Sequence, residues 1–120
     1  MNILLDTATL LWICCDPSSL STVARTTYTD PANKFSERRM NMGIDREKST
    51  RQTSVIGPLK SSGAVRILPL RESAVLRLNE LPDVHRDPFD RMLVCQAIDE
   101  SLTILTPDSM LKAYPVATLW

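Results

Sequence analysis

Apolar residues in this chain fall into short runs broken by turn-forming clusters, and the runs gather toward its two ends. Residues 1–5 form a near-continuous apolar run stopped by Asp6, the pattern of a strand buried on both faces. Residues 8–15 are apolar almost all round and follow that turn too closely for a second strand of that length. A buried helix is expected there, ended by Asp16-Pro17-Ser18-Ser19. Leu20, Val23, Ala24 and Thr27 share one helical face, and Asp30-Pro31 closes that helix.

The second half is equally periodic. Ile67-Leu68-Pro69 predicts a short strand, and residues 73–79 a helix with Ala74, Val75 and Leu78 inward. Asp87-Pro88-Phe89-Asp90 opens a further helix: Asp87 caps it, Pro88 takes the first helical position, and Asp90 adds an acid to the first turn. Met92, Leu93, Cys95, Gln96, Ala97 and Ile98 carry that helix on. Residues 102–105 read as a strand, Thr106-Pro107-Asp108 as a turn, and residues 116–119 as a last strand. Strands alternating with helices predict a three-layer α/β/α domain with a mostly parallel sheet, spanning residues 1–120 as one unit.

Between the halves the periodicity stops. Residues 36–54 hold Met40, Met42 and Ile44 singly among Glu37, Arg38, Arg39, Asp45, Arg46, Glu47, Lys48 and Arg51. Such a segment cannot recover its ordering entropy by burial, so irregular or disordered chain is expected over 36–54. A long insert of that kind is unusual inside a compact α/β domain.

Composition narrows the function classes. Fourteen Lys and Arg balance fourteen Asp and Glu across 120 residues, which argues against a protein that coats nucleic acid electrostatically. A nuclease is not excluded, because its site needs carboxylates more than a basic sheath. Cys14, Cys15 and Cys95 sit in apolar runs and are expected as buried free thiols in a reducing compartment. The one histidine, His85, has no metal-ligand motif around it. No apolar stretch reaches the roughly 20 residues of a membrane span, and an opening strand that leads into Asp6 does not resemble a signal peptide. A cytoplasmic protein with no membrane partner is expected.

Three acids occupy places where a parallel α/β sheet puts its chemistry. Asp6 and Asp108 follow strands, and Asp90 lies in the first turn of a helix between them. Carboxylates gathered at the carboxyl ends of strands repel unless a cation sits among them. A hard divalent ion such as Mg2+ takes oxygen ligands, keeps several waters, and can drive phosphodiester hydrolysis. Each acid also has a structural reading: Asp6 as a helix cap, Asp90 as part of the Asp87 capping arrangement, and Asp108 as a turn residue. Thr7 and Thr106 flank two of the acids and are placed either to hydrogen-bond a carboxylate or metal-bound water, or to cap. His85-Arg86 reads as a solvated loop pair, with an RNA-phosphate contact as the sharper alternative. Trp12 reads as core or as a partner-facing anchor, and Tyr114 and Trp120 as packing for the last strand.

The opening Asn2-Ile3-Leu4-Leu5-Asp6-Thr7 with Leu10-Leu11-Trp12 resembles the start of the VapC-like PIN-domain ribonucleases of type II toxin–antitoxin pairs. His85-Arg86-Asp87-Pro88-Phe89-Asp90-Arg91-Met92-Leu93 resembles that family more specifically. The likeness continues through Gln96-Ala97 and Leu102-Thr103-Ile104-Leu105-Thr106-Pro107-Asp108 to Tyr114-Pro115-Val116 and Trp120. It covers residues 1–34 and 64–120. The resemblance implies an endoribonuclease dependent on Mg2+ or Mn2+, with RNA as substrate and a cognate antitoxin as partner. A homodimer is a candidate assembly. Asp6, Asp90 and Asp108 match three of the family's metal-binding acids. Asp87 matches a frequent additional acid, and Ala8 stands where the subgroup usually has His.

The departure lies in the middle. The family carries Trp-Glu on a helix after its second strand, followed by Lys and then Gly-Lys-Leu, and no such run occurs here. Gly43 occupies the glutamate position, and Glu37, Asp45 or Glu47 would replace that acid only after a rearrangement. The codons of Met42-Gly43 begin ATG-GG, so reading one base later forces Trp there. Codon degeneracy then allows the rest of the family run, and from Phe35 it allows the expected second strand. The same shift creates a stop across Met40-Asn41, so a single clean frameshift is not the whole account. A frame-disrupted toxin sequence is the reading that follows. The rival is a non-catalytic, antitoxin-binding remnant with Trp12 and Leu11 in its groove. A phosphatase with an aspartyl nucleophile would want an acid two residues after Asp6, where Ala8 stands.

Overall fold

A computed structural model describes residues 1–38 and 62–120. Among these, the chain runs β1 (Asn2–Leu5), α1 (Thr7–Cys15), α2 (Thr22–Thr29), β2 (Lys34–Arg38), β3 (Val65–Leu68), α3 (Glu72–Leu76), α4 (Pro88–Asp99), β4 (Thr103–Leu105) and β5 (Thr118–Leu119). Short 3-10 turns at Pro17–Ser19, Arg77–Glu80 and Leu111–Ala113 link them.

The five strands form one sheet in the order β3-β2-β1-β4-β5, and every neighbouring pair is parallel. Successive residues of β1 feed opposite faces. Ile3 and Leu5 pack with Phe35, Val65 and Leu105 beneath Leu10 of α1 and Ala24 of α2. Leu4 packs with Ile104 and Leu68 beneath Leu93, Val94 and Ala97 of α4. The predicted α/β sandwich is therefore built on a two-residue alternation in β1 and β4, with helices covering both faces. Each fully buried Leu or Ile contributes on the order of 1.5–3 kcal/mol.

Several local expectations need correction. Ser36, Glu37 and Arg38 belong to β2, inside the stretch expected to be irregular. Their side chains carry no apolar period, but the backbone of Ser36 and Glu37 is paired on both sides, Glu37 lying between Leu5 and Ile67, and Arg38 is paired with Leu68. A central strand is held by that ladder and by Phe35, so polarity alone did not exclude it. The remainder of that expectation, residues 39–54, lies outside the described residues. Val23 and Val75 are exposed rather than inward, because α2 and α3 each seat one alanine, Ala24 and Ala74, against the sheet. Of the thiols, Cys95 is buried, Cys14 half-buried and Cys15 exposed. A helix against one sheet face must turn part of even an apolar sequence outward. Burial pushes the Cys14 and Cys95 thiols above their ordinary range, Cys15 and Glu37 adding to it at Cys14.

Candidate active site at the carboxyl edge of the sheet

From β1 the chain adds strands on one side and then crosses to the other, so strand order reverses between β1 and β4. The carboxyl ends of strands at such a reversal leave a crevice. Here the crevice is a cavity of about 300 Å³ that receives Asp6, Glu37, Arg38, Phe89, Asp90 and Asp108. Asp6 arrives from the end of β1, Asp108 from the turn after β4, Asp90 from the first turn of α4, and Glu37 and Arg38 from the end of β2.

Asp6 is fixed at both carboxylate oxygens. Its Oδ1 accepts from the Thr9 amide at 2.7 Å, capping α1, and its Oδ2 accepts from the Thr106 hydroxyl. The fully buried Thr106 also accepts from the Asp108 amide at 3.1 Å, which ties the two acids through one hydroxyl. Thr9 anchors the same corner by donating its hydroxyl to the Leu105 carbonyl at 2.9 Å. Asp108 Oδ1 accepts from the Met110 amide at 2.8 Å and so holds its own turn. The bonds that cap and turn the chain at Asp6 and Asp108 also set both carboxylates at the cavity. Thr7 and Ala8 line it as well.

Asp87 caps α4, accepting from the Phe89 amide at 2.9 Å and the Asp90 amide at 3.4 Å, with Pro88 at the first helical position as expected. Asp87 is exposed and does not line the cavity. Asp90 does. Its carboxyl is pushed above the usual range by burial, and the nearby charges of Asp87 and Asp108 add to this, while its bond to His85 opposes it.

Three residues of this neighbourhood, His85, Glu37 and Arg38, were not expected in it. His85 is part-buried, not solvated: its Nε2 lies 3.2 Å from Asp90 Oδ2 and its Nδ1 2.6 Å from the Tyr114 hydroxyl. Arg86 beside it is exposed. Arg91 closes this corner by donating to the Pro82 carbonyl at 2.9 Å and the Leu78 carbonyl at 3.3 Å. Tyr114 is buried against α4, and Trp120 packs on Trp12 of α1 with ring centroids 5.7 Å apart. The second unpredicted residue is Glu37, which reaches the cavity directly from β2 while only 4% exposed, with no rearrangement of the strand. Its burial was invisible in a run read as polar. Asp45 and Glu47 lie outside the described residues.

Arg38 brings positive charge. It donates to the Phe89 carbonyl at 3.0 Å and lies over the Phe89 ring, 5.2 Å from its centroid. Burial lowers its pKa, and the charges of Asp90 and Asp87 work against that. A guanidinium stays protonated under such opposition.

The donors offered by the four acids are all oxygen, which suits a hard divalent cation. Among the described residues no three acids, histidines or cysteines stand close enough to grip one ion together. Mg2+ does not require that, since one or two carboxylates with waters and substrate phosphate commonly hold it. The donor set fits.

No protein-family model matches the chain, and no curated protein matches it in sequence. Among solved structures it superposes on a chain from the crystal structure of VapBC2 from Rickettsia felis bound to a DNA fragment from their promoter, with a TM-score of 0.71. The alignment covers 99% of this chain and 98% of that one at 13% identity. The two chains share a fold. That likeness and the all-parallel sheet bear out the α/β architecture expected from the alternation of strands and helices. Among the described residues no helix is long and apolar enough to cross a membrane.

Proposed function

We propose that this chain is a VapC-like toxin component that hydrolyses RNA phosphodiester bonds with Mg2+ or Mn2+ and is held in check by a cognate antitoxin in the cytoplasm. One observation carries the reading: Asp6, Asp90 and Asp108, distant in sequence, line a single cavity at the strand-order reversal. One or two of Asp6, Asp90 and Asp108 at a time, with waters and substrate phosphate, would hold the ion, which when bound lowers the pKa of water and steadies the leaving oxygen. The protein's part is positioning. Thr106 and the Thr9 amide keep Asp6 in one rotamer, and His85 does the same for Asp90 from the opposite side. Preset carboxylates need little reorganisation when charge develops. Glu37, buried at the same cavity, raises its negative charge further and so its demand for a cation.

The test is cleavage of a single-stranded RNA with Mg2+ or Mn2+ by the chain and by Asp6→Asn and Asp108→Asn, with circular dichroism confirming the fold. Metal-dependent cleavage lost in both variants supports the reading. Cleavage that survives in both, or that needs no metal, sinks it.

A second reading has an observation of its own. With no three donors in mutual reach among the described residues, the site supports weaker metal binding, as in a remnant that binds antitoxin without cutting RNA. Antitoxin capture without cleavage would select it. The frame-disruption reading belongs with this question. Replacing residues 35–54 by the shifted translation, with its stop changed to Asn, should raise metal-dependent cleavage well above that of the present chain. Equal cleavage by both would make the present segment a functional divergence.

A further inference from the structure

We infer that Arg38 is the built-in counter-cation of the acidic cavity, so that a divalent ion entering it must compete with this guanidinium. The inference rests on the metal-site reading above. Arg38 ends β2, on the sheet face opposite that of Glu37 and toward α4, because side chains alternate along a strand. Its place is defined by the cavity it lines and by two contacts to Phe89 that hold it there. It lines the cavity with Asp6, Asp90 and Asp108, it donates to the Phe89 carbonyl at 3.0 Å, and its Cζ lies over the Phe89 ring, 5.2 Å from the centroid. Phe89 immediately precedes Asp90 and lies two residues after Asp87, so the anchoring contacts bring the guanidinium within electrostatic range of both carboxylates. Those two acids are also the charges that most strongly favour its protonated form.

The arrangement solves an electrostatic problem. Asp90 is part-buried and close enough to Asp87 and Asp108 to feel both, and among the described residues His85 is the one bonded to its carboxylate. A fixed guanidinium lowers that mutual repulsion in the absence of metal. The same charge opposes a cation arriving at the same carboxylates. Arg38 therefore sets the metal affinity of the cavity without being a ligand, and metal uptake requires it to swing off Phe89 or tolerate the repulsion.

The experiment is calorimetric titration of Mn2+ into the wild-type chain, Arg38→Met, Arg38→Lys and Asp90→Asn. Loss of one partly screened unit charge at this range should tighten Mn2+ binding to Arg38→Met by roughly tenfold. Arg38→Lys should stay near wild type. Without metal, Arg38→Met should melt lower than wild type at neutral pH, and saturating Mn2+ should restore it. Should Arg38→Met fail to fold, Arg38→Gln keeps a donor for the Phe89 carbonyl while removing the charge, and the same tightening is expected. Equal or weaker Mn2+ binding by the neutral variants, with Asp90→Asn binding none, overturns the role of Arg38 and leaves the metal site standing. Absence of Mn2+ binding in every variant overturns both.

Discussion

The cleanest separation between holding the fold and doing chemistry is available at Asp87. Its carboxylate accepts from two amides at the start of α4, one at 2.9 Å and one at a weak 3.4 Å, and it does not line the cavity. Replacing an N-cap acid by alanine costs about 1 kcal/mol, within a range of about 0.5–2. The geometry favours the middle of that range: one good bond is lost outright and the second was marginal. A small offset comes from Asp90, which Asp87 repels. Asp87→Asn keeps the cap and deletes the charge, so it should stay within a few tenths of a kcal/mol of wild type. Asp87→Ala should fall by about 1 kcal/mol, or roughly 3–6 °C in Tm for a domain of this size. Thermal and urea unfolding, followed by circular dichroism, would measure both, with the urea slope unchanged between variants. Mn2+ affinity should change little in either. If alanine leaves the melting curve unmoved while Mn2+ binding collapses, Asp87 is a site residue and the capping argument is wrong. If asparagine destabilises as much as alanine, the contribution is charge rather than hydrogen bonding.

Asp90→Asn should raise the melting temperature at neutral pH. The folded-state carboxyl is pushed up, so its favourable contribution is complete below its unfolded value and is lost as pH rises through the folded value. Removing the charge therefore helps at pH 7, and the advantage should vanish when melts are repeated below the carboxylate range; an advantage that grows in acid would contradict the sign. Thr106→Val leaves an Asp6 oxygen and the Asp108 amide without their partner and should cost about 1–3 kcal/mol, together with weaker Mn2+ binding. Unchanged calorimetry and unchanged melting would show that the hydroxyl holds neither acid. Leu105→Ala, at a fully buried position beneath α1, should cost about 2–5 kcal/mol by urea unfolding, and a loss under about 1 would mean the sheet face repacks.

Short-range physics made much of this protein legible from its residues. The β1 run, the apolar segment of α1, the Asp87-Pro88 start of α4 and the turn after β4 each carry their signal within a few residues. Strand-helix alternation then implied a parallel sheet, and with it the places of Asp6, Asp90 and Asp108. What tertiary structure alone decided lies where partners are far apart in sequence. Thr106 finds Asp6 across 100 positions, and His85 finds Tyr114 across 29, so neither bond leaves a local trace. The same holds for β2. Ser36, Glu37 and Arg38 have no apolar period, yet Ser36 and Glu37 are paired with strands on both sides and Arg38 with Leu68 of β3. A backbone ladder is indifferent to side-chain polarity, and only the completed sheet turns Glu37 and Arg38 from apparent loop charges into residues of the cavity.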